Sequence, residues 1–208
     1  MVKNLRVYSM LVCVVLLGLG ASGRAVAADK DKLVEICGNC HGKRGASTEF
    51  DVPIIGGYSA EYLTERLNAY KNQETACPET EFRAGSNKGQ KSDMCRIAHD
   101  LSAANIKQIV RYFSKQKFVR AKQEFDPALA KMGKEIHEQH CEHCHSKGGT
   151  VASDHAGING GQWMPYLTNA LKEFESGKRP ITKVMKTRLE KLGKGETEAL
   201  VNYYGSIR

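Results

Sequence analysis

The sequence predicts an all-α protein built from two tandem copies of one small helical unit. Three observations support this prediction: a motif that occurs twice, further identities at the same spacing, and apolar residues at helical rather than alternating spacing. A length of 208 residues allows one large domain or two small ones. The 41% apolar and 26% charged content is typical of a chain that buries a core, and argues against wholesale disorder.

The start of the chain predicts a secretory signal peptide. Lys3 and Arg6 precede an apolar stretch over residues 7–19, and residues 25–27 read Ala-Val-Ala, which is typical of a cleavage site. The apolar stretch is short for a membrane span. We therefore expect a mature chain that begins at Ala28 and is soluble in the periplasm. Cleavage removes three basic residues and no acidic one, so the formal charge falls from +8 to +5, and export argues against a nucleic-acid partner.

A duplicated motif marks the internal repeat. It reads Cys37-Gly-Asn-Cys-His41 in the first copy and Cys141-Glu-His-Cys-His145 in the second, 104 positions later. At the same spacing residues 54–67 and 158–171 share seven identities, including a Gly-Gly pair. Towards the end of each copy the matching spacing falls from 104 to 91, so the first copy carries 13 extra residues.

Each copy is expected to contain three helices. In the first copy Leu33, Ile36 and Cys37 indicate a helix that runs into the motif. Ser59 is the expected N-cap of a second helix, and Ser102 begins a third. The second copy repeats this order, with helices expected near residues 127–144, 164–175 and 196–204.

The repeat also predicts the domain organisation. Residues 1–27 form the signal peptide, residues 28–117 the first domain and residues 118–208 the second. The join is expected in the charged stretch 117–126, which ends at Pro127.

The motif C-x-x-C-H predicts covalent attachment of two haem c groups. In this signature two thiols add to the vinyl groups of haem, and the adjacent histidine becomes a ligand of the iron. The expected attachment and ligand residues are Cys37, Cys40 and His41 in the first copy, and Cys141, Cys144 and His145 in the second. The alternative is a structural zinc site made by both cysteine pairs. That site would require the pairs to converge from separate copies, and would leave both histidines unexplained.

A methionine is the expected sixth ligand of each iron. Met94 and Met185 align at the spacing of 91, and each precedes the terminal helix of its copy. A thioether at this position raises the reduction potential of haem relative to a second imidazole. His99 is the alternative ligand in the first copy. Met132 and Met164 are expected to pack in the core instead.

Several other residues near the motifs receive structural interpretations. The remaining histidines of the second copy are expected at the surface, namely His137, His140, His143 and His155. Three aromatic residues are expected to pack around the porphyrins, namely Tyr62, Trp163 and Tyr166. The two Gly-Gly pairs are expected to cap a turn or to allow a close backbone approach to haem.

The extra residues of the first copy lie in a segment bracketed by Cys77 and Cys95. In an oxidising compartment these two thiols most simply form a disulfide. Such a bond would fix the residue next to Met94. The alternatives are two unpaired thiols or a redox-active disulfide.

Basic residues cluster around Met185. Seven of them occur between residues 178 and 194: Lys178, Arg179, Lys183, Lys186, Arg188, Lys191 and Lys194. The cluster is either a solvated face or a positive rim that steers an acidic redox partner. The basic run at residues 115–122 has the same two interpretations.

From residue 28 to residue 208 the chain resembles the dihaem class I cytochromes c of the cytochrome c4 kind. Its second copy is more narrowly similar to the dihaem cytochrome subunit of flavocytochrome c sulfide dehydrogenase. The similar passages are Ala121–Ala130, Cys141–His145, Gly161–Leu167 and Lys178–Met185. The resemblance implies two tandem class I cytochrome c domains, each a small helical fold around one covalently bound haem.

The resemblance also implies a function in electron transfer rather than catalysis by this chain. In that family a separate flavin-bearing subunit oxidises sulfide and passes electrons to the haems. Two alternatives stay open: a free shuttle to a terminal oxidase, and a dihaem enzyme of the peroxidase or thiosulfate dehydrogenase type. The enzyme would need an exchangeable iron position or an unusual ligand. The segment between Cys77 and Cys95 departs from the pattern of the sulfide dehydrogenase subunit.

Overall fold

A computed structural model describes residues 30–208, so the predicted signal peptide and the first mature residues lie outside the described part. The helices of the first copy are α1 (Lys30–His41), α2 (Ala60–Lys71), α3 (Met94–His99) and α4 (Ala103–Phe113). Those of the second copy are α5 (Pro127–His140), the single turn α6 (Ser146–Gly149), α7 (Met164–Glu175), α8 (Lys183–Leu189) and α9 (Glu196–Ser206). No helix within residues 30–208 is long and apolar enough to cross a membrane.

The capping residues begin the helices where the sequence predicts. The Ser59 hydroxyl accepts a hydrogen bond from the backbone N–H of Tyr62, and Ser102 forms a reciprocal capping box with Asn105. The predicted helix near residues 127–144 ends earlier, at His140, because Cys141 leaves helical geometry with φ −120°. The extra residues of the first copy contain a small hairpin, in which β1 (Thr80–Glu81) pairs antiparallel with β2 (Lys91–Ser92).

Each copy encloses its own apolar core. The first core includes Leu63, Ile109 and Phe113, and the second includes their repeat equivalents Leu167, Leu200 and Tyr204. These residues come from the second and last main helices of each copy. The repeat in the sequence is therefore a repeat of packing.

The Gly-Gly pairs make the same turn in both copies. The N–H of Gly57 donates to the Phe113 carbonyl at 2.9 Å, and the N–H of Gly161 donates to the Tyr204 carbonyl at 2.8 Å. Both glycines have positive φ, +86° and +82°, which favours glycine. A Cβ at Gly56 would lie 2.4 Å from the Arg44 carbonyl oxygen. The close approach that Gly56 allows is thus between its own backbone and the loop that follows the first C-x-x-C-H motif.

Buried polar contacts join the two copies. The side-chain amide of Gln162, which is fully buried, accepts from the N–H of Ile54 at 3.0 Å and donates to the carbonyl of Ile54 at 2.9 Å. The Tyr58 hydroxyl donates to the Ile158 carbonyl at 3.2 Å. The Trp163 indole N–H donates to the Ser47 carbonyl at 3.0 Å. Trp163 therefore joins the two copies through a hydrogen bond. This contact does not support the expectation that Trp163 packs around a porphyrin.

Candidate functional site

The first site is a cavity of about 310 Å³. Its walls contain the side chains predicted to hold the first haem, namely Cys37, Cys40, His41 and Met94. The first three come from the C-terminal part of α1, and Met94 is the first residue of α3. The fold thus brings together residues that are more than fifty positions apart in the sequence.

His41 is buried and held in one orientation. Its Nδ1 lies 2.9 Å from the Pro53 carbonyl oxygen, so a proton on Nδ1 is donated to that oxygen and Nε2 is left for a metal. Burial lowers the pKa of His41, although the hydrogen bond to Pro53 opposes this shift. Burial also raises the pKa of the Cys37 thiol to about 12. Both side chains are therefore neutral at pH 7. A neutral imidazole is the form of histidine that can bind a metal.

Met94 is fixed by the residues on either side of it. The Asp93 carboxylate caps α3 by accepting from the backbone N–H of Arg96 at 2.9 Å. Cys95 forms a disulfide with Cys77, with their Cα atoms 5.8 Å apart, as the sequence predicts. His99, the alternative ligand, is exposed and contacts Asp100 at 3.0 Å. The structure therefore favours Met94 over His99 as the residue facing this cavity.

Two buried arginines also line the first cavity. Arg66 of α2 is 8% exposed and Arg179 of the second copy is 5% exposed. The Nε and Nη2 atoms of Arg66 and the Nε of Arg179 have no hydrogen-bond partner among residues 30–208. Buried cations of this kind require an anion. A porphyrin edge with two carboxylates meets this requirement, so the residues present fit haem.

Tyrosines complete the cavity wall. Tyr62 and Tyr166, which are repeat equivalents, both line it, as the sequence predicts for residues around a porphyrin. Burial raises the pKa of Tyr62 to about 12, so its phenol keeps the proton and can donate a hydrogen bond. Tyr166 belongs to the second copy, and both copies therefore build the first cavity.

The second motif has a different environment. Cys141 packs against the second core, whereas Cys144 is exposed. His145 is half-buried, and burial lowers its pKa. Its Nδ1 lies 3.1 Å from the side-chain amide of Asn159. The amide nitrogen of a side chain therefore lies against Nδ1 here, where the first copy has the backbone carbonyl of Pro53.

Met185 lies in the first turn of α8, where the Thr182 hydroxyl accepts from its backbone N–H at 3.2 Å. The helix contains no buried residue, and Met185 itself is half-buried. Its pairing with His145 at the second iron stays a prediction. Six of the seven basic residues around it are exposed: Lys178, Lys183, Lys186, Arg188, Lys191 and Lys194. The seventh, Arg179, is not part of the surface, because its side chain turns into the first cavity.

Two further predictions about these regions are wrong. His137 is fully buried rather than at the surface, with Nδ1 3.0 Å from the Tyr204 hydroxyl and Nε2 against the Glu142 carboxylate. It is tolerated there because both ring nitrogens have partners. Met132 is 40% exposed and does not pack in the core, whereas Met164 does. His143 and His155 are exposed as predicted.

The alternative of a zinc site at the two motifs finds no support. Within residues 30–208 one group of three potential metal ligands lies close together, formed by Cys77, Asp93 and Cys95. Its two cysteines are joined as a disulfide. The four motif cysteines do not gather around a common point.

The fold is that of two tandem class I cytochrome c domains, and its helices carry two C-x-x-C-H motifs. The cofactors are accordingly two haem c groups. No family model and no curated protein matches the chain.

Solved structures of cytochrome c4 are similar to the chain over nearly all of its described length. The reduced recombinant protein from Pseudomonas stutzeri is 28% identical, with a TM-score of 0.68 over 88% of this chain and 100% of that one. Cytochrome c4 from Acidithiobacillus ferrooxidans is 25% identical, with a TM-score of 0.65 over 83% and 99%. Thiosulfate dehydrogenase from Marichromatium purpuratum shares the fold at 20% identity and a TM-score of 0.65, and the match spans 36% of that chain.

Proposed function

We propose that the chain is a dihaem electron-transfer protein of the periplasm. The observation that carries this proposal is a C-x-x-C-H motif at equivalent positions of two tandem domains with the fold of cytochrome c4. When bound, each haem supplies an iron that changes between the ferric and ferrous states. The chain itself orients the two haems, excludes water from them and transforms no substrate.

In this proposal each iron has two ligands from the protein. His41 and Met94 serve the first haem, and His145 and Met185 serve the second. The support for the first pair is direct, because both residues line one cavity. The support for the second pair is the repeat, which aligns Met185 with Met94 at a spacing of 91. Two occupied axial positions leave no site for substrate, which favours a carrier over a dihaem enzyme.

The electron donor in this proposal is a flavoprotein dehydrogenase that acts on sulfide. The similarity of the second copy to the cytochrome subunit of such enzymes supports it, as does the exposed basic surface around α8. The similarity to cytochrome c4 over the full length favours the second candidate, a free shuttle to a terminal oxidase.

The haem content tests the core of the proposal. The full chain, produced in a host that attaches haem c, should carry two haems by mass and give a haem-stained band on a denaturing gel. The double variant Cys37→Ala/Cys40→Ala should carry one. Zinc without haem in the purified protein would refute the proposal.

Purification from the native host separates the two candidate partners. A tagged full chain that co-elutes with stoichiometric flavin, and whose haems are reduced by sulfide in that fraction, would support the subunit role. A flavin-free monomer that is oxidised by membranes containing the terminal oxidase would support the free shuttle and overturn the subunit role.

A further inference from the structure

Four carboxylates line the first cavity, but three of them pair with cations that do not line it: Asp51 with Arg83, Glu79 with Lys91 and Asp93 with Arg96. Arg66 and Arg179 are both buried in the cavity wall, and the fourth carboxylate, Glu173, has its Oε2 3.4 Å from Nη1 of Arg179. One guanidinium thus lacks a counter-ion among the described residues. An unpaired buried charge is unfavourable, and one left in a ligand cavity indicates that the ligand supplies the missing negative charge.

We propose that Arg66 and Arg179 together bind the propionate carboxylates of the first haem, and that Arg179 thereby makes the reduction potential of that haem depend on the second domain. The inference rests on the proposed function, since it requires haem in the first cavity. It gives the two arginines the role of positioning the haem and tuning its potential, whereas His41 and Met94 are the proposed ligands of the iron.

The backbone holds Arg179 at the contact between the domains. The carbonyl of the preceding residue, Lys178, accepts from the N–H of Ala76 in the first domain at 2.8 Å. The N–H of Arg179 donates to the Glu173 carbonyl at 3.2 Å. Ala76 is adjacent to the disulfide at Cys77, so the extra segment of the first domain helps to place an arginine of the second.

The side chain of Arg179 reaches across the contact. Its Nη2 donates to the Tyr62 hydroxyl at 3.4 Å and to the Tyr166 hydroxyl at 3.2 Å, so it contacts one tyrosine of each domain. The phenol oxygens accept these bonds, and a phenol O–H that accepts a hydrogen bond can also donate one. A carboxylate at this edge of the cavity could therefore receive hydrogen bonds from Nε of Arg179 and from both phenols.

Arg66 provides the second half of the anion-binding edge. It lies on α2, and its guanidinium lies 5.7 Å from the ring centroid of Tyr70. Within residues 30–208 its Nε and Nη2 atoms have no hydrogen-bond partner. Nε and one terminal nitrogen form the fork with which arginine binds a carboxylate through two parallel hydrogen bonds. With one arginine for each propionate, the two positive and the two negative charges would cancel.

Loss of either arginine should lower the reduction potential of the first haem. Ferric haem carries one more positive charge than ferrous haem, so a nearby cation favours the ferrous state, and its removal favours the ferric state. We expect Arg179→Met to change the ferric-to-ferrous equilibrium of the first haem about tenfold, which is about 59 mV for one electron. The Met94→Ala variant shows which of the two measured potentials belongs to the first haem, because only that potential should change.

The experiment is a spectroelectrochemical titration of the full dihaem protein at several pH values. Arg66→Met and Arg179→Met should lower the first potential and make it fall more steeply with pH, because a released propionate titrates. Arg179→Lys, which keeps the charge, should restore most of the potential. Arg111→Met is the matched control, since Arg111 is exposed on α4 and should leave both potentials unchanged.

A second variant, which should shift the first potential in the opposite direction, keeps the test decisive if Arg179→Met does not fold. Glu173→Gln removes the carboxylate beside Arg179 and should raise the first potential. An unchanged first potential in Arg179→Met, or in Glu173→Gln should Arg179→Met not fold, would overturn the inference, provided the chain carries two haems. A chain without two haems would instead refute the proposed function.

Discussion

The histidines of the two motifs differ in what holds them. His41 contacts a backbone carbonyl, that of Pro53, whereas His145 contacts the side-chain amide of Asn159. The repeat aligns Pro53 with Gly157, so the contact in the second domain comes from another position. A backbone acceptor is insensitive to substitution, but a side chain can be changed by one mutation. The second haem site is therefore the more easily tuned of the two.

The two domains also differ on the methionine side. Met94 lies beside a disulfide and lines a cavity that residues of both domains close. Met185 lies on α8, a short helix without buried residues and with exposed lysines around it. The first cavity is enclosed by the contact between the domains, whereas the proposed second site, at Met185, would lie near a charged surface. This difference predicts that partners exchange electrons through the second haem.

The largest expected effect is the loss of an iron ligand. Met94→Ala and Met185→Ala should each remove half of the far-red charge-transfer band of the ferric protein. Each should also lower one potential by a sizeable part of the about 0.8 V that axial ligands span. Met132→Ala is the control, because Met132 is exposed and is not one of the proposed ligands. An unchanged spectrum in Met185→Ala would show that the two domains ligate iron differently.

Removal of the disulfide should have the next largest effect. Cys77→Ser/Cys95→Ser opens a loop with a sequence separation of 18, which should lower the free energy of unfolding by about 3 kcal/mol. Denaturant unfolding of the ferrous protein, followed by haem absorption, measures this change. Wild-type protein with a thiol reductant should reproduce it. An unaltered midpoint would mean that the hairpin and caps alone fix the segment next to Met94.

Substitution of Asn159 should move only the second potential. The Asn159 amide nitrogen lies 3.1 Å from Nδ1 of His145. If Nε2 of His145 binds iron, Nδ1 carries the proton and must donate, so the Asn159 amide would turn its oxygen towards Nδ1. An acceptor at Nδ1 makes the imidazole a stronger donor to iron and stabilises the ferric state. Asn159→Leu should therefore raise the second potential and Asn159→Asp should lower it, each by up to about 59 mV, a tenfold change in the equilibrium. Equal shifts of both haems would contradict a local effect.

The smallest effect should come from the charged surface. Lys183→Glu/Lys186→Glu should slow oxidation of the ferrous protein by ferricyanide and weaken the dependence of the rate on salt. The matched control is Lys32→Glu/Lys107→Glu, which reverses the charge of two exposed lysines in the first domain. Stopped-flow rates should change little in the control. Equal slowing in both double variants would indicate an effect of net charge rather than of the surface near α8.

The repeat made most of the fold predictable from the sequence, because the same residues pack in the same way twice. It could also have revealed the buried His137, which aligns with Leu33 in the first core. The orientation of Arg179 could not be foreseen, since it lies within a run of exposed basic residues. Arg66 gave no signal either, because its repeat equivalent is Ala170. Both arginines act across a contact between distant parts of the chain, which local patterns do not encode.

The polar contacts between the domains are reciprocal. Tyr58 and Gln162 are repeat equivalents, as are Ile54 and Ile158, and each side chain bonds the backbone of the opposite isoleucine. This is the signature of an isologous dimer, so a local dyad relates the two halves of one chain. Tyr62 and Tyr166 stand on either side of that axis, and a single guanidinium lies between them. A single arginine has no symmetry-related copy across this dyad. It therefore makes the two proposed haem sites, which otherwise share one design, unequal.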